Sequence, residues 1–322
     1  MGEAILELRN LKKYYTLRKG LFGKIIVKAV DGVSLTFKPG EIIAVVGESG
    51  SGKTTLGKTS LKLLEPTDGQ IIFEGRDITN SKKDDLKWFR KKAQIIFQDP
   101  FQALNPYHSI YQILKEPLEV HGEKDEDIIM KKILSVLEEV RLVPPEEFLH
   151  KYPHMLSGGQ RQRIVIARAL LLDPIYLVAD EPVSMIDASS RAEILTLFRE
   201  IQKARKLSIM YITHDIATTK YFSDWIAVMY LGRIVEYGRT KEVLNNPLHP
   251  YTQALINAVP DPDPNNRFVK RPVVPGEPPS PINPPPGCRF HPRCPKRFEP
   301  CDTEEPKLIE VGNDHYVACH LY

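Results

Sequence analysis

The chain has 322 residues, 42% of them apolar and 26% charged, with a net charge of +3. That composition fits a folded chain of one large domain, with or without an appendage, and the small positive charge gives no argument for nucleic-acid binding. No apolar run approaches the roughly 18 residues of a membrane span, and the N-terminal stretch mixes charges into every turn, unlike a signal peptide. The chain is expected in the cytoplasm, reaching a membrane only by docking onto a partner that spans it.

In chain order, the first strong strand pattern is EIIAVVG (41–47), followed by a helix over about 53–64. Further strands are expected at QIIFEG (70–75) and AQIIFQD (93–99). The stretch over 125–141 reads as a helix with Ile129, Ile133, Val136, Leu137 and Val140 on one face. Next come a helix over 159–172, the strand IYLVADE (175–181), a helix over 189–205, the strand SIMYITHD (208–215) and a helix over 216–222. Several of these strands are apolar on both faces, as in a covered parallel sheet. Strands alternating with helices make the fold α/β, with a nucleotide-binding domain over about 1–245. A short helix around YTQALINAV leads into a tail in which residues 260–306 hold 15 of the 27 prolines. Such a segment supplies few helix or strand hydrogen bonds.

GESGSGKTT, from Gly47 to Thr55, fits G-x-x-x-x-G-K-[ST] between an apolar strand and a helix. Gly47, Gly50 and Gly52 let the loop, with Ser49 and Ser51, turn its N–H groups onto phosphate oxygens. The helix start, with Thr54 and Thr55, adds a positive dipole end. Lys53 is expected on the β- and γ-phosphates and the Thr54 hydroxyl on Mg²⁺. The strand 175–181 ends in two carboxylates. Asp180 suits the Mg²⁺ shell, and Glu181 can polarise the attacking water as general base. His214, at the end of a strand expected beside that one, can bond the γ-phosphate. Gln98 offers a neutral polar group near Mg²⁺ and the water. Taken singly, such a histidine is more often structural, and such a glutamine a surface residue.

These motifs stand in the order found in the ATP-binding subunits of ABC transporters, which residues 4–245 resemble. They are the phosphate loop 47–55, Gln98, LSGGQ (156–160), LVADE (177–181), SMID (184–187) and His214. The resemblance implies a P-loop NTPase fold with a mixed sheet and a helical subdomain over about 100–172. It implies two subunits sandwiching two ATP molecules head to tail. Ser157, Gly158, Gly159 and Gln160 of one would then meet the γ-phosphate held by the other, with the arginine-bearing helix behind them facing its own domain. A helix merely capped by its own serine is the local alternative. An aromatic near the N-terminus usually stacks on adenine in this family; of Tyr14 and Tyr15, the offset favours Tyr15, with simple core packing as the alternative. Met185 and Ile186 replace the alanine and leucine common in relatives, while Ser184 and Asp187 remain.

FQDPFQALNP (97–106), NPLHPYTQALINAVP (246–260) and PGEPPSPINPPPGCRFHPRCP (275–295) resemble the dipeptide and oligopeptide importer branch, with 246–322 as its C-terminal extension. Relatives with similar tails serve nickel or oligosaccharide importers. The resemblance implies two transmembrane permease subunits, a partner ATPase that is identical or homologous, an extracytoplasmic solute-binding protein, and a peripheral place on the cytoplasmic face of the cell membrane. No nucleic acid is implied, although a soluble non-transport ATPase and an iron- or redox-sensing module are rival readings. Cys288, Cys294, Cys301 and Cys319 are spaced C-x5-C-x6-C-x17-C. A cytoplasmic chain has little use for disulfides, and zinc sites typically use closer pairs. The longer gaps suit a [4Fe–4S] cluster, with Zn²⁺ or free thiols as alternatives.

Overall fold

The computed structural model describes residues 3–19, 23–82, 84–259 and 276–322. Two long strands, β1 (Leu6–Lys19) and β2 (Gly23–Phe37), precede β3 (Ile42–Val46), α1 (Lys53–Ser60), β4 (Asp68–Phe73) and the two-residue β5 (Arg76–Asp77). After α2 (Lys87–Lys92) and β6 (Ala93–Ile96) come α3 (Pro100–Ala103), α4 (Ile110–Val120), α5 (Glu126–Glu139), α6 (Glu146–Leu149) and α7 (Gly158–Leu170). Then follow β7 (Tyr176–Asp180), α8 (Ala188–Arg205), β8 (Ser208–Thr213), α9 (Ile216–Phe222), β9 (Trp225–Tyr230), β10 (Arg233–Arg239), α10 (Thr240–Asn245) and α11 (Pro250–Asn257). The tail ends in β11 (Ile309–Gly312) and β12 (His315–Val317).

The chain divides into two compact units. The first holds Met1–Leu6, Phe37–Glu41 and Phe73–Met210; the second holds Glu7–Thr36, Ile42–Ile72 and Tyr211–Tyr322. The division cuts β8 after Met210, so each unit owns one half of that strand.

In the first unit β6, β7 and the start of β8 are sheet neighbours in that order. β6 and β7 run parallel, with Ala93 opposite Tyr176 and Ile96 opposite Ala179. Every residue of β7 and β8 is buried, as a parallel strand covered on both faces requires. The expected face of α5 forms: Ile129, Ile133, Leu137 and Val140 are fully buried and Val136 nearly so. Asp125 caps that helix by accepting from the N–H groups of Asp127 and Ile128.

In the second unit the sheet order is β11, β12, β10, β9, β3 and the end of β8, with β2, β1 and β4 in a separate sheet. β3 runs parallel to β9, which turns back antiparallel into β10. Leu231 and Gly232, the two residues joining β9 to β10, both have positive φ, as a tight type I′ hairpin needs. β12 continues the sheet by pairing Val317 with Glu236 and Tyr316 with Tyr237.

The polar ends of the expected strands 93–99, 175–181 and 208–215 fall outside regular structure: β6 stops at Ile96, β7 at Asp180 and β8 at Thr213. Gln98, Glu181 and His214 therefore stand on the loops after the carboxyl ends of their strands, where open α/β sheets place their chemistry. The expected helix 53–64 ends early because Lys62 takes a left-handed φ of 53°.

Candidate functional site

The phosphate loop bridges β3 and α1 inside the second unit. Its glycines are steric requirements. A Cβ on Gly52, whose φ is 103°, would lie 2.0 Å from the Ala29 carbonyl oxygen. One on Gly47 would lie 2.2 Å from the Met229 oxygen. The Lys53 ammonium reaches back over the loop, donating to Gly47 O at 2.7 Å and Glu48 O at 2.9 Å. Ser51 is buried and its hydroxyl finds no hydrogen-bond partner among the described residues. A cationic head, an unsatisfied hydroxyl and the N-terminus of α1 make the loop chemically suited to phosphate oxygens.

In the same unit, successive residues of β1 place Tyr14 and Tyr15 on opposite faces. Tyr14 donates to the buried Asp31 carboxylate. Burial, reinforced by that hydrogen bond, pushes the Tyr14 hydroxyl up to about 12. Tyr14, itself half-buried, is thus tied to Asp31. Tyr15 is half-buried, with Lys13 Nζ 5.3 Å from its ring centre. His214 is exposed beyond β8, beside Asp215, which caps α9 by accepting from Ala217 N–H.

The first unit brings Gln98 and Glu181 together. Gln98 Nε2 donates to Glu181 Oε2 at 3.0 Å. Asp180 is buried at the end of β7. Glu181 has a left-handed φ of 46°, a conformation costing a non-glycine residue roughly 1–3 kcal/mol. Ser184 helps fix it: its N–H and hydroxyl donate to the Glu181 carbonyl at 3.2 and 3.0 Å. Asp187 caps α8 through Ser190 N–H.

Ser157 caps α7 in the same unit. Its hydroxyl accepts from Gln160 N–H at 3.2 Å, and the Gln160 side chain accepts from Ser157 N–H at 3.0 Å, a reciprocal capping box. The box consumes the donor of Gln160 and leaves Gly158 and Gly159 as the first-turn N–H groups that a helix cannot satisfy itself. The arginines behind the turn do face their own unit. Arg161 donates to Leu156 O, Arg163 to Val140 O and Arg168 to Ala103 O, at 3.1, 2.9 and 2.7 Å.

The four cysteines converge. Cys288, Cys294, Cys301 and Cys319 line one cavity with His249, Phe290 and His291, all in the second unit. Burial, then repulsion from the neighbouring thiols, pushes Cys288 up to about 11. Burial likewise raises Cys294 and Cys319. Among the described residues no three His, Cys, Asp or Glu side chains gather closely enough to hold a single metal ion. The tail is anchored by two buried arginines: Arg289 donates to Asp31 and to the Leu231 carbonyl, and Arg293 reaches the phosphate loop. The sequence carries no local signal for the role of these arginines. The partners Arg293 and Glu48 lie 245 positions apart, and no local pattern signals such a pair.

Comparisons with known proteins agree with this layout. The family model described as "ABC transporter" matches residues 30–184. The model described as "Oligopeptide/dipeptide transporter, C-terminal region" matches residues 235–301. The chain is 47% identical to the oligopeptide transport ATP-binding protein AppF of Bacillus subtilis, over 99% of this chain and 98% of that protein. It is 45% identical to the dipeptide transport ATP-binding protein DppF of Escherichia coli, over 99% and 95%. Among solved structures, cbiO1 of Clostridium perfringens, part of the ABC transporter complex cbiONQ, is 30% identical with a TM-score of 0.64, covering 76% of this chain and 91% of that one. The dimeric ABC transporter cassette MJ0796 is 28% identical with a TM-score of 0.64, covering 73% and 98%. The chain belongs to the ATP-binding proteins of ABC transporters, in the branch that carries the oligopeptide/dipeptide transporter C-terminal region.

Proposed function

We propose that this chain, residues 1–245 as the ATPase domain and 246–322 as its extension, hydrolyses ATP to drive import of dipeptides or oligopeptides. The observation that carries the reading is that similarity to peptide-transport ATP-binding proteins runs through both the ATPase motifs and the cysteine-bearing tail. Among the described residues no helix is long and apolar enough to cross a membrane. The solute path then belongs to two separate permease subunits, fed by an extracytoplasmic binding protein. The chain works peripherally, on the cytoplasmic face of the membrane, with a second ABC ATPase.

In this reading the phosphate loop of one subunit holds ATP, with Lys53 on the β- and γ-phosphates, Thr55 beside them and Tyr15 against adenine. Gly158 and Gly159 of the other subunit, in the turn held by Ser157 and Gln160, present their N–H groups to the γ-phosphate. Thr54, Asp180 and Gln98 offer the hard oxygen donors that Mg²⁺ takes, and the ion would neutralise phosphate charge. Glu181 accepts a proton from water as its oxygen attacks the γ-phosphorus and the bond to the ADP oxygen breaks. Gln98, already bonded to Glu181, orients that carboxylate. His214 bonds the γ-phosphate, so departure of phosphate releases the closed pair.

The tail cysteines suit a [4Fe–4S] cluster by donor set. One thiolate serves each iron, so four ligands surround a volume instead of converging on a point. Buried thiols that repel one another when ionised call for a cationic centre to hold them as thiolates. The cavity these thiols line is narrow, about 10 Å³, so the thiols would move outward to seat a cluster. When bound it would cross-link the tail. An anaerobic preparation should be brown, with iron and sulfide matching one cluster per chain; colourless protein with stoichiometric zinc rejects the cluster.

The function itself is tested by uptake in a reconstituted complex, screened over short peptides, sugars and nickel. Peptide uptake supports the reading, and uptake of another solute alone reassigns it. Glu181→Gln should lower turnover by about 10²–10⁴-fold and accumulate an ATP-bound closed pair, read by phosphate release and light scattering.

A further inference from the structure

Glu48, the second residue of the phosphate loop, carries a negative charge where a triphosphate is to bind. Left unpaired, it would repel the ligand. Every polar group of Glu48 is tied down inside the second unit. Its N–H donates to Tyr251 Oη at 2.8 Å, and its carbonyl accepts from Lys53 Nζ at 2.9 Å. Its carboxylate receives both arms of the Arg293 guanidinium, at 2.8 and 3.1 Å. This fork-on-fork geometry fixes direction as well as charge.

Arg293 belongs to the tail, in the turn His291–Arg293 between Cys288 and Cys294. It is buried, and its bond to Glu48 raises its already high pKa, so it stays charged. Below it Tyr230, Tyr251 and Phe290 pack with ring centres 4.6–5.4 Å apart. Phe290 and His249 in turn line the cysteine cavity, and His249 Nδ1 accepts from Tyr251 N–H at 3.0 Å. An unbroken set of packed rings and hydrogen bonds therefore runs from the cysteines to the first turn of the phosphate loop.

We propose that Arg293 is a positioning residue for the nucleotide site: its grip on Glu48 keeps the phosphate loop in its ATP-accepting shape, so the tail sets the affinity for ATP. Arg293 is not assigned a contact with nucleotide. Its loss lowers the fraction of chains with a competent loop, and apparent affinity falls by that fraction. The proposal rests on the reading that this loop binds ATP.

The test is ATP binding to the full chain by calorimetry, with melting temperatures measured alongside. Wild type should bind ATP; failure to bind would overturn the reading of the loop and the inference with it. Given binding, Arg293→Gln and Glu48→Gln should each weaken it about tenfold. The double variant should be no weaker than either single one, and Arg293→Lys should fall between wild type and Arg293→Gln. Unchanged ATP affinity with a lowered melting temperature would show a purely structural pair and overturn the proposal. So would a double variant that regains wild-type affinity, because Arg293 would then only cancel a charge. Additive losses would overturn it as well, and Arg293→Lys and Glu48→Gln keep the comparison available if Arg293→Gln does not fold.

Discussion

The chain carries two glycine-rich turns at helix starts, and their glycines are there for different reasons. In the phosphate loop, Gly47 and Gly52 have positive φ, and a methyl group on either would collide with a backbone oxygen. The fold of the second unit needs them. Gly158 and Gly159 have no such constraint. A Cβ on Gly158 would sit 3.6 Å from a methyl of Ile186, and one on Gly159 3.6 Å from the Ser190 hydroxyl, both ordinary contacts. Among the described residues of their own unit nothing asks for glycine, and a capping box already secures the helix. Small residues that the chain does not need for itself point to a surface kept bare for something outside it, which is the role the composite ATP site assigns.

Substitutions can break that contrast. Gly52→Ala should lower unfolding free energy by about 2–4 kcal/mol and abolish ATP binding, read by denaturant melts and calorimetry. A variant that folds and binds normally would remove the steric half of the contrast. Ser157→Ala should cost about 1 kcal/mol through the lost cap, without changing ATP affinity of the isolated chain. Gly158→Ala should do the reverse, raising stability by about 0.5 kcal/mol because alanine favours helix. A destabilised Gly158→Ala would mean that the fold needs this glycine after all.

Much of the site was legible because its chemistry is local. The phosphate loop, the carboxylates closing β7 and the capping pattern Ser157–Gln160 each fit within nine residues or fewer of sequence. The apolar β7 and β8 also declared themselves. The long β1 and β2 did not, since charged residues interrupt their alternation. β9 carries an apolar run, WIAVMY, with no motif beside it. α4 was hidden by Pro117 within it. The proline-rich stretch is expected to supply few strands, and its described residues 276–306 hold none, whereas β11 and β12 beyond it extend the sheet of the second unit. Its anchoring was illegible for a stricter reason. Arg289 and Arg293 look like surface cations in RFHPR, and only the fold shows their partners, Asp31 and Glu48, 258 and 245 positions away.

On the proposed function, the turn at Ser157–Gln160 serves ATP held by another subunit. That role is tested most directly on one preparation of Gly158→Ala, by measuring ATP affinity of the isolated chain and ATP turnover of the assembled transporter. We predict unchanged affinity and a turnover reduced at least about tenfold, because the added methyl holds the transferring phosphate away from the backbone N–H groups of the turn. Unimpaired turnover, or a loss of affinity in the isolated chain, would contradict the account.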